Sequence, residues 1–335
     1  MSRRLTIPIL ILSVAVLAMA NLVWGSVSIP LADTVSILLG KGACGHPSWE
    51  YIIMDNRIPQ MLTAALTGAS LAVGGLLLQT TFRNPLAGPS ILGIDSGANL
   101  GVAIVMLLLS GTMTLGSMTL SGYLLVIIAA MLGAGCIMAL LLVFSQKINS
   151  HLMLLITGIM VSYITGSLIS LLNFGATEQG VHAYMMWGMG NFSGISTERL
   201  PLFAALCGLG LLSAFLLMKP LNALLLGEHY ARNLGYSIKP LRTKLLLVTG
   251  LLTATTTAFC GPITFLGLAV PHLARLATGT HNHRTLLPAT MLTGAILALT
   301  CNLISTVPSS GSIIPINIIT PCIGAPIVIW IILKK

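Results

Sequence analysis

Residues 219–244 read KPLNALLLGEHYARNLGYSIKPLRTK, a basic, helix-forming stretch between two hydrophobic runs that are each long enough to cross a bilayer. Within it Glu228 and Arg232 stand four apart, the spacing at which opposite charges support a helical turn. Gly227 opens that turn, and Gly235 follows Leu234 where helices commonly end. A polar, structured element between membrane spans has two readings. It is a cytoplasmic loop kept there by its positive charge, or a handle through which a soluble partner moves the membrane part.

The rest of the chain sets the solvent. Of 335 residues 56% are hydrophobic and 7% charged, with a mean hydropathy of +0.98. Soluble domains carry about a quarter charged residues, so lipid must solvate most of this surface. The net charge of +9 is spread as single Lys and Arg residues between apolar runs, which fits membrane topology better than nucleic-acid binding. Cys136, Cys207, Cys260, Cys301 and Cys322 lie in or beside apolar runs, and Cys44 stands in a polar loop. That is a pattern of packing residues, not of a disulfide framework.

Measured against the roughly 20 residues a span requires, the apolar runs predict ten transmembrane helices near 7–24, 60–81, 95–110, 121–145, 151–173, 200–218, 243–259, 263–279, 286–306 and 316–333. The fold class is therefore an all-α polytopic membrane protein. The first run has signal-peptide features in Arg3, Arg4 and Ala18-Met19-Ala20, but it continues to Trp24 and reads as an uncleaved helix. With the N-terminus inside, Lys41, Arg57 and Arg199 are the only basic residues outside, and the other thirteen Lys and Arg fall inside. This bias predicts that both termini are cytoplasmic.

Two breaks echo one another. Gly88-Pro89-Ser90-Ile91-Leu92-Gly93 follows the second span, and Cys260-Gly261-Pro262-Ile263-Thr264-Phe265-Leu266-Gly267 follows the seventh. The topology puts the first inside and the second outside, as in an inverted-repeat transporter.

No enzymatic constellation appears. There is no phosphate-binding G-x-x-x-x-G-K-[ST] and no H-E-x-x-H. His281-x-His283 offers two metal ligands, too few to close a coordination shell. His182, Met185, Met186 and Met189 surround Trp187, where an interfacial re-entrant helix anchored by Tyr184 and Trp187 explains the residues better than a haem or copper site. Asp95 is the one ionisable candidate within a span, and its place beside Ser96 reads as a helix cap. Ion-coupled pumps keep such groups at mid-depth, so the energy for transport is expected from another polypeptide. Gly158, Ser162, Gly166 and Ser170 recur four apart on the fifth span. They suit close helix packing or the wall of a translocation pathway. Thr253 to Thr257 have the same ambiguity.

Arg57-Ile58-Pro59, the span containing Gly68-Ala69, Phe82-Arg83-Asn84-Pro85-Leu86-Ala87, Leu92-Gly93 and Ser96-Gly97-Ala98 together resemble the first signature of FecCD-type permeases. Gly227-Glu228 with Ala231-Arg232 and Leu234-Gly235 resembles the coupling helices of that family. Gly261-Pro262-Ile263, Phe265-Leu266-Gly267-Leu268, Val270-Pro271-His272 and Ala274-Arg275 resemble its third signature, and Gly324-Ala325-Pro326 fits its close. The resemblance spans nearly the whole chain and implies a type II ABC importer permease, with residues 1–335 as one transmembrane domain and a coupling segment at about 219–244.

It further implies a homodimer in the bacterial inner membrane, two cytoplasmic ATP-binding subunits and an external substrate-binding protein. ATP and Mg would be bound by the partner ATPase, with no cofactor or metal in this chain. Gly227, Glu228, Ala231, Arg232, Leu234 and Gly235 would contact the ATPase, and Arg57 would dock the binding protein. Asn149, Ser150 and His151 would form the inner gate. Asn84, Pro85, Gly261, Pro262 and Pro271 would be structural. Two departures stand out: His229 and Tyr230 interrupt the coupling motif, and Gln60 replaces a second outer Arg. Iron–siderophore is the substrate expected first, with haem and cobalamin as alternatives. An ion-coupled secondary transporter relying on Asp95, and an intramembrane enzyme using His and Cys residues, are the competing classes.

Overall fold

The computed structural model describes residues 5–25, 27–40, 46–108, 113–115, 118–120, 122–148, 150–306 and 314–333. Each of the ten apolar runs coincides with a helix, within a few residues at most ends. In chain order, α1 is Thr6–Val23, and the short α2 (Leu31–Leu38) and α3 (Pro47–Tyr51) follow it. A π turn, Ile52–Arg57, leads into α4 (Ile58–Phe82). Then come α5 (Ile94–Ala103, extended by a π turn to Leu108), α6 (Gly122–Lys147), α7 (His151–Gly175) and α8 (Glu178–Gly188). The second half holds α9 (Leu200–Leu216), α10 (Met218–Leu225), α11 (Glu228–Asn233), α12 (Ile238–Cys260), α13 (Leu266–Thr278), α14 (His283–Thr306) and α15 (Ile316–Leu333). Met113–Leu115 and Met118–Leu120 pair as a small antiparallel ribbon between α5 and α6.

Among the described residues six helices are long and apolar enough to cross a membrane. A seventh forms if α9 and α10, bent by 51°, count as one. The segment 94–108 and α15 are shorter apolar helices, and α13, at 13 residues, rises only about 20 Å. The ten expected spans are thus ten helices, several of which are too short to cross a bilayer alone. α8, at about 16 Å, belongs with a re-entrant or surface element.

α4 is the axis of the bundle. Of its most apolar window 78% is buried, against 17% for α1. It packs on α14, α12, α13 and α9. Small residues permit this: a Cβ on Gly75 would overlap the carbonyl oxygen of Gly267 on α13, and one on Gly68 would overlap that of Gly294 on α14. Such backbone approach is how helices gain dispersion contacts when lipid offers no hydrophobic drive.

Three amide side chains inside the bundle pair with one another. Gln60 donates to Asn302 (2.9 Å), which donates to Asn21 (2.8 Å), and Asn21 donates to the carbonyls of Leu17 and Leu299. That triad clamps α1, α4 and α14 together. The residue standing in place of a second outer arginine is therefore a half-buried packing group.

The two Gly-Pro breaks do not lie on opposite surfaces as the topology predicts. α12 ends beside α4, with Cys260 Sγ 3.4 Å from Thr67 Oγ1. The chain then turns back, and Gly267 packs on Pro89 and on Leu71 of α4. Residues 88–91 and 263–268 line one cavity of about 230 Å³. A break inside the bundle can be tolerated where protein satisfies the freed backbone groups. Here Asn317 at the start of α15 does so, donating to the carbonyls of Gly188 (3.0 Å) and Pro262 and accepting from Thr264 N–H (3.2 Å).

Candidate functional site

Residues 219–244 fold as the sequence predicts, with one addition. Gly227 has φ 118° and breaks α10 from α11. At the other end Gly235 has φ 87°. Its N–H bonds Arg232 O (2.9 Å) and Tyr236 N–H bonds Ala231 O (3.0 Å). This is a Schellman closure, which glycine allows without Cβ strain. Ala231 is buried, while Arg232 and Leu234 face outward.

Glu228 reaches Arg232 at 3.7 Å as its spacing predicts, and that pair is largely exposed. The addition is Arg242 on α12, 5% exposed, whose Nη2 lies 3.4 Å from Glu228 Oε1. Arg242 Nη1 donates to Ile148 O (3.3 Å), and Lys239 Nζ donates to Gln146 O (3.3 Å). The acid of α11 is thus joined through one buried guanidinium to the carbonyl end of α6. Sequence spacing gives no hint of this, because Glu228 and Arg242 lie on different helices fourteen residues apart.

The α6–α7 turn is where the inner gate was expected. Ser150 caps α7, its hydroxyl accepting from Met153 N–H (3.4 Å). His151 opens that helix, and Asn149 lies outside the described residues.

The small-residue stripe on α7 divides. Gly158 is buried against Ile91 and Leu92, and Ser162 is half-buried beside Gly93. Gly166 and Ser170 are exposed, with Ser170 donating to Gly166 O (3.0 Å). Half the stripe packs and half faces open space.

Arg57 is a correction. It is 7% exposed, and its guanidinium donates to the carbonyls of Leu22 (2.6 Å), Val23 (2.9 Å) and Val27. It satisfies the carbonyls that the end of α1 leaves unpaired, so it does not project outward as a docking clamp. Asp95 differs from its expected role as well. Gly93 is the cap of α5, and Asp95, one residue into the helix, is 7% exposed and accepts from Thr257 Oγ1 on α12 at 2.8 Å.

The structural residues hold loops. Asn84 Oδ1 accepts from Leu86 N–H (2.9 Å), and Pro85 O accepts from His272 Nε2–H (2.9 Å). Pro271 is buried inside α13, and Gly261, at φ 77°, ends α12. No group of three His, Cys, Asp or Glu among the described residues is arranged to hold a metal. Tyr184 and Trp187 stack at 6.3 Å, with Met185 and Met186 exposed beside them.

The model of the FecCD transport family matches residues 11–334. The chain belongs to the FecCD transport family. Relatives of this FecCD chain include the vitamin B12 import system permease protein BtuC of Salmonella arizonae, 33% identical over 92% of this chain and 93% of that one. BtuC of Klebsiella pneumoniae is 35% identical over 91% of each. A solved structure described as an inward-facing conformation of a metal-chelate type ABC transporter superposes with a TM-score of 0.84. It is 31% identical, over 98% of this chain and 99% of that one. The FecCD chain is thus a permease of the ABC importer type.

Proposed function

We propose that this chain is the membrane half of an importer that carries a bulky metal chelate inward, driven by an ATPase gripping α11. The single observation behind this reading is the tether Glu228–Arg242–Ile148, which gives the most polar element of the chain a rigid connection into the bundle. Rigid-body motion of a docked ATPase would be passed through Arg242 to the α6–α7 turn, where Ser150 and its neighbours form the inner gate. The exposed half of the α7 stripe, Gly166 and Ser170, would face the pathway in a homodimer, with Gly158 and Ser162 serving packing. A substrate-binding protein would deliver the chelate from outside, to a permease with both termini in the cytoplasm of a bacterial inner membrane. ATP and Mg stay on the ATPase.

Among chelates, cobalamin moves ahead of the iron–siderophore expected from the sequence, because the named relatives are vitamin B12 permeases. The siderophore reading is kept because the superposing transporter is of metal-chelate type. The deciding experiment is uptake into proteoliposomes holding this chain, its ATPase and its binding protein. Labelled cyanocobalamin and labelled ferric siderophore are offered in turn, with and without ATP. ATP-dependent accumulation of one identifies the substrate. Accumulation without any ATPase sinks the importer reading.

A further inference from the structure

The His281-x-His283 motif finds a place that neither metal binding nor coupling explains. Both histidines line a cavity of about 530 Å³ together with Arg83, His272 and Arg275. The cavity is framed by the ends of α4, α10 and α13 and the start of α14. Among the described residues two guanidiniums and three imidazoles surround it, and no carboxylate lines it.

The two guanidiniums donate to uncharged acceptors. Arg275 donates to Gln79 Oε1 (2.8 Å), Arg83 to Leu224 O (3.3 Å) and His272 to Pro85 O. His283 is buried between Thr80 and Asn222. Glu228 lines an adjoining groove together with Arg83. Its carboxylate is already shared by Arg232 and Arg242. Arg275 is half-buried and Arg83 exposed, and positive charge gathered where no described carboxylate lines the cavity attracts an anion from outside.

We infer that this cavity is an anion seat that receives an acidic side chain of the ATPase subunit. The inference rests on the importer reading above and adds a second contact to it. Position favours a protein carboxylate over a lipid headgroup. The seat lies at the foot of α4, the most enclosed long helix, whereas headgroups reach the perimeter of a bundle. It is also continuous with the coupling site, because the groove containing Gly227 to Tyr230 shares Arg83 and Leu226 with it.

The test uses the full chain in nanodiscs with its purified ATPase. Arg83→Lys keeps the charge and supplies an amine that a water-soluble carbodiimide joins to an adjacent carboxylate. The expected product is a cross-linked peptide between the substituted position and an Asp or Glu of the ATPase. In parallel, Arg83→Glu and His281→Glu, both at exposed positions, should each weaken ATPase binding about tenfold, and the wild-type affinity should fall as salt rises. A cross-link to Glu228 alone, or unchanged affinity in both charge-reversed variants, overturns the inference. So does loss of a co-purifying anionic phospholipid from Arg83→Glu with ATPase affinity intact, which would make the seat a lipid site. If the wild type itself holds no ATPase, the importer reading fails along with this one. If Glu228→Arg abolishes binding while Arg83→Glu and His281→Glu leave it unchanged, this inference alone fails.

Discussion

Three side chains carry the sharpest tests at the scale of single residues. Arg242 is buried between a carboxylate and a carbonyl on two other elements. Removing one partner of a buried, hydrogen-bonded charge costs more than losing an exposed pair, so Arg242→Ala should loosen α11 from the bundle. The expected phenotype is uncoupling: ATP hydrolysis by the assembled complex persists while substrate moved per ATP falls at least about tenfold, with Arg242→Lys intermediate. A merely structural role would lower both rates together.

Arg57 makes the opposite prediction to a docking clamp. Arg57→Ala leaves carbonyls at the end of α1 unpaired and should lower stability by about 2 kcal/mol, read as a shift in thermal unfolding in detergent. Binding-protein affinity should stay within about twofold of wild type, because exposed ion pairs contribute only about 0–1 kcal/mol each and Arg57 is not among the exposed groups. Asp95→Asn keeps an acceptor for the Thr257 hydroxyl. ATP-driven uptake should survive it, and a protonophore should leave uptake unchanged. Loss of uptake on both counts would instead favour an ion-coupled transporter.

At the scale of elements, the crossing of α4 over α13 is the least forgiving contact. Gly75 faces the backbone of Gly267 with no flexible side chain between them. Gly75→Val must push the helices apart, at a cost of about 1–3 kcal/mol or more. The measurable result is a lower unfolding temperature and poor yield from the membrane, whereas Gly166→Ala, with open space around it, should be nearly silent for stability. On the same helix Gly158→Ala, whose Cβ would meet Leu92 Cα at 2.9 Å, should cost stability, which separates the packing half of the α7 stripe from its open half. From the sequence, Gly158, Ser162, Gly166 and Ser170 look alike, because a four-residue period reports that they share a face and not what that face meets.

For the molecule as a whole, the two Gly-Pro breaks meet around one cavity within the bundle instead of marking its two surfaces. An element that stops short of the membrane surface on a broken segment has freed backbone groups to satisfy, and Asn317 supplies part of that satisfaction from a third helix. One end of the bundle is therefore joined through α8, the 261–265 break and α15, while the other is tethered through Arg242. A transporter that alternates between openings requires two such ties to loosen in turn.

The sequence by itself determined the helical class, the positions of the ten apolar segments and the short polar helix with its glycine ends. These follow from local rules: the length needed to span lipid, the placement of charge and the chemistry of helix termini. Only the tertiary structure decided that Arg57 points inward, that Asp95 meets Thr257, that Glu228 leans on Arg242 and that four distant helix ends gather Arg83, Arg275 and three histidines. Each of these joins residues far apart in the chain or on separate helices. Which partner a side chain meets is set by how helices cross, a property that a one-dimensional pattern of hydrophobicity does not encode.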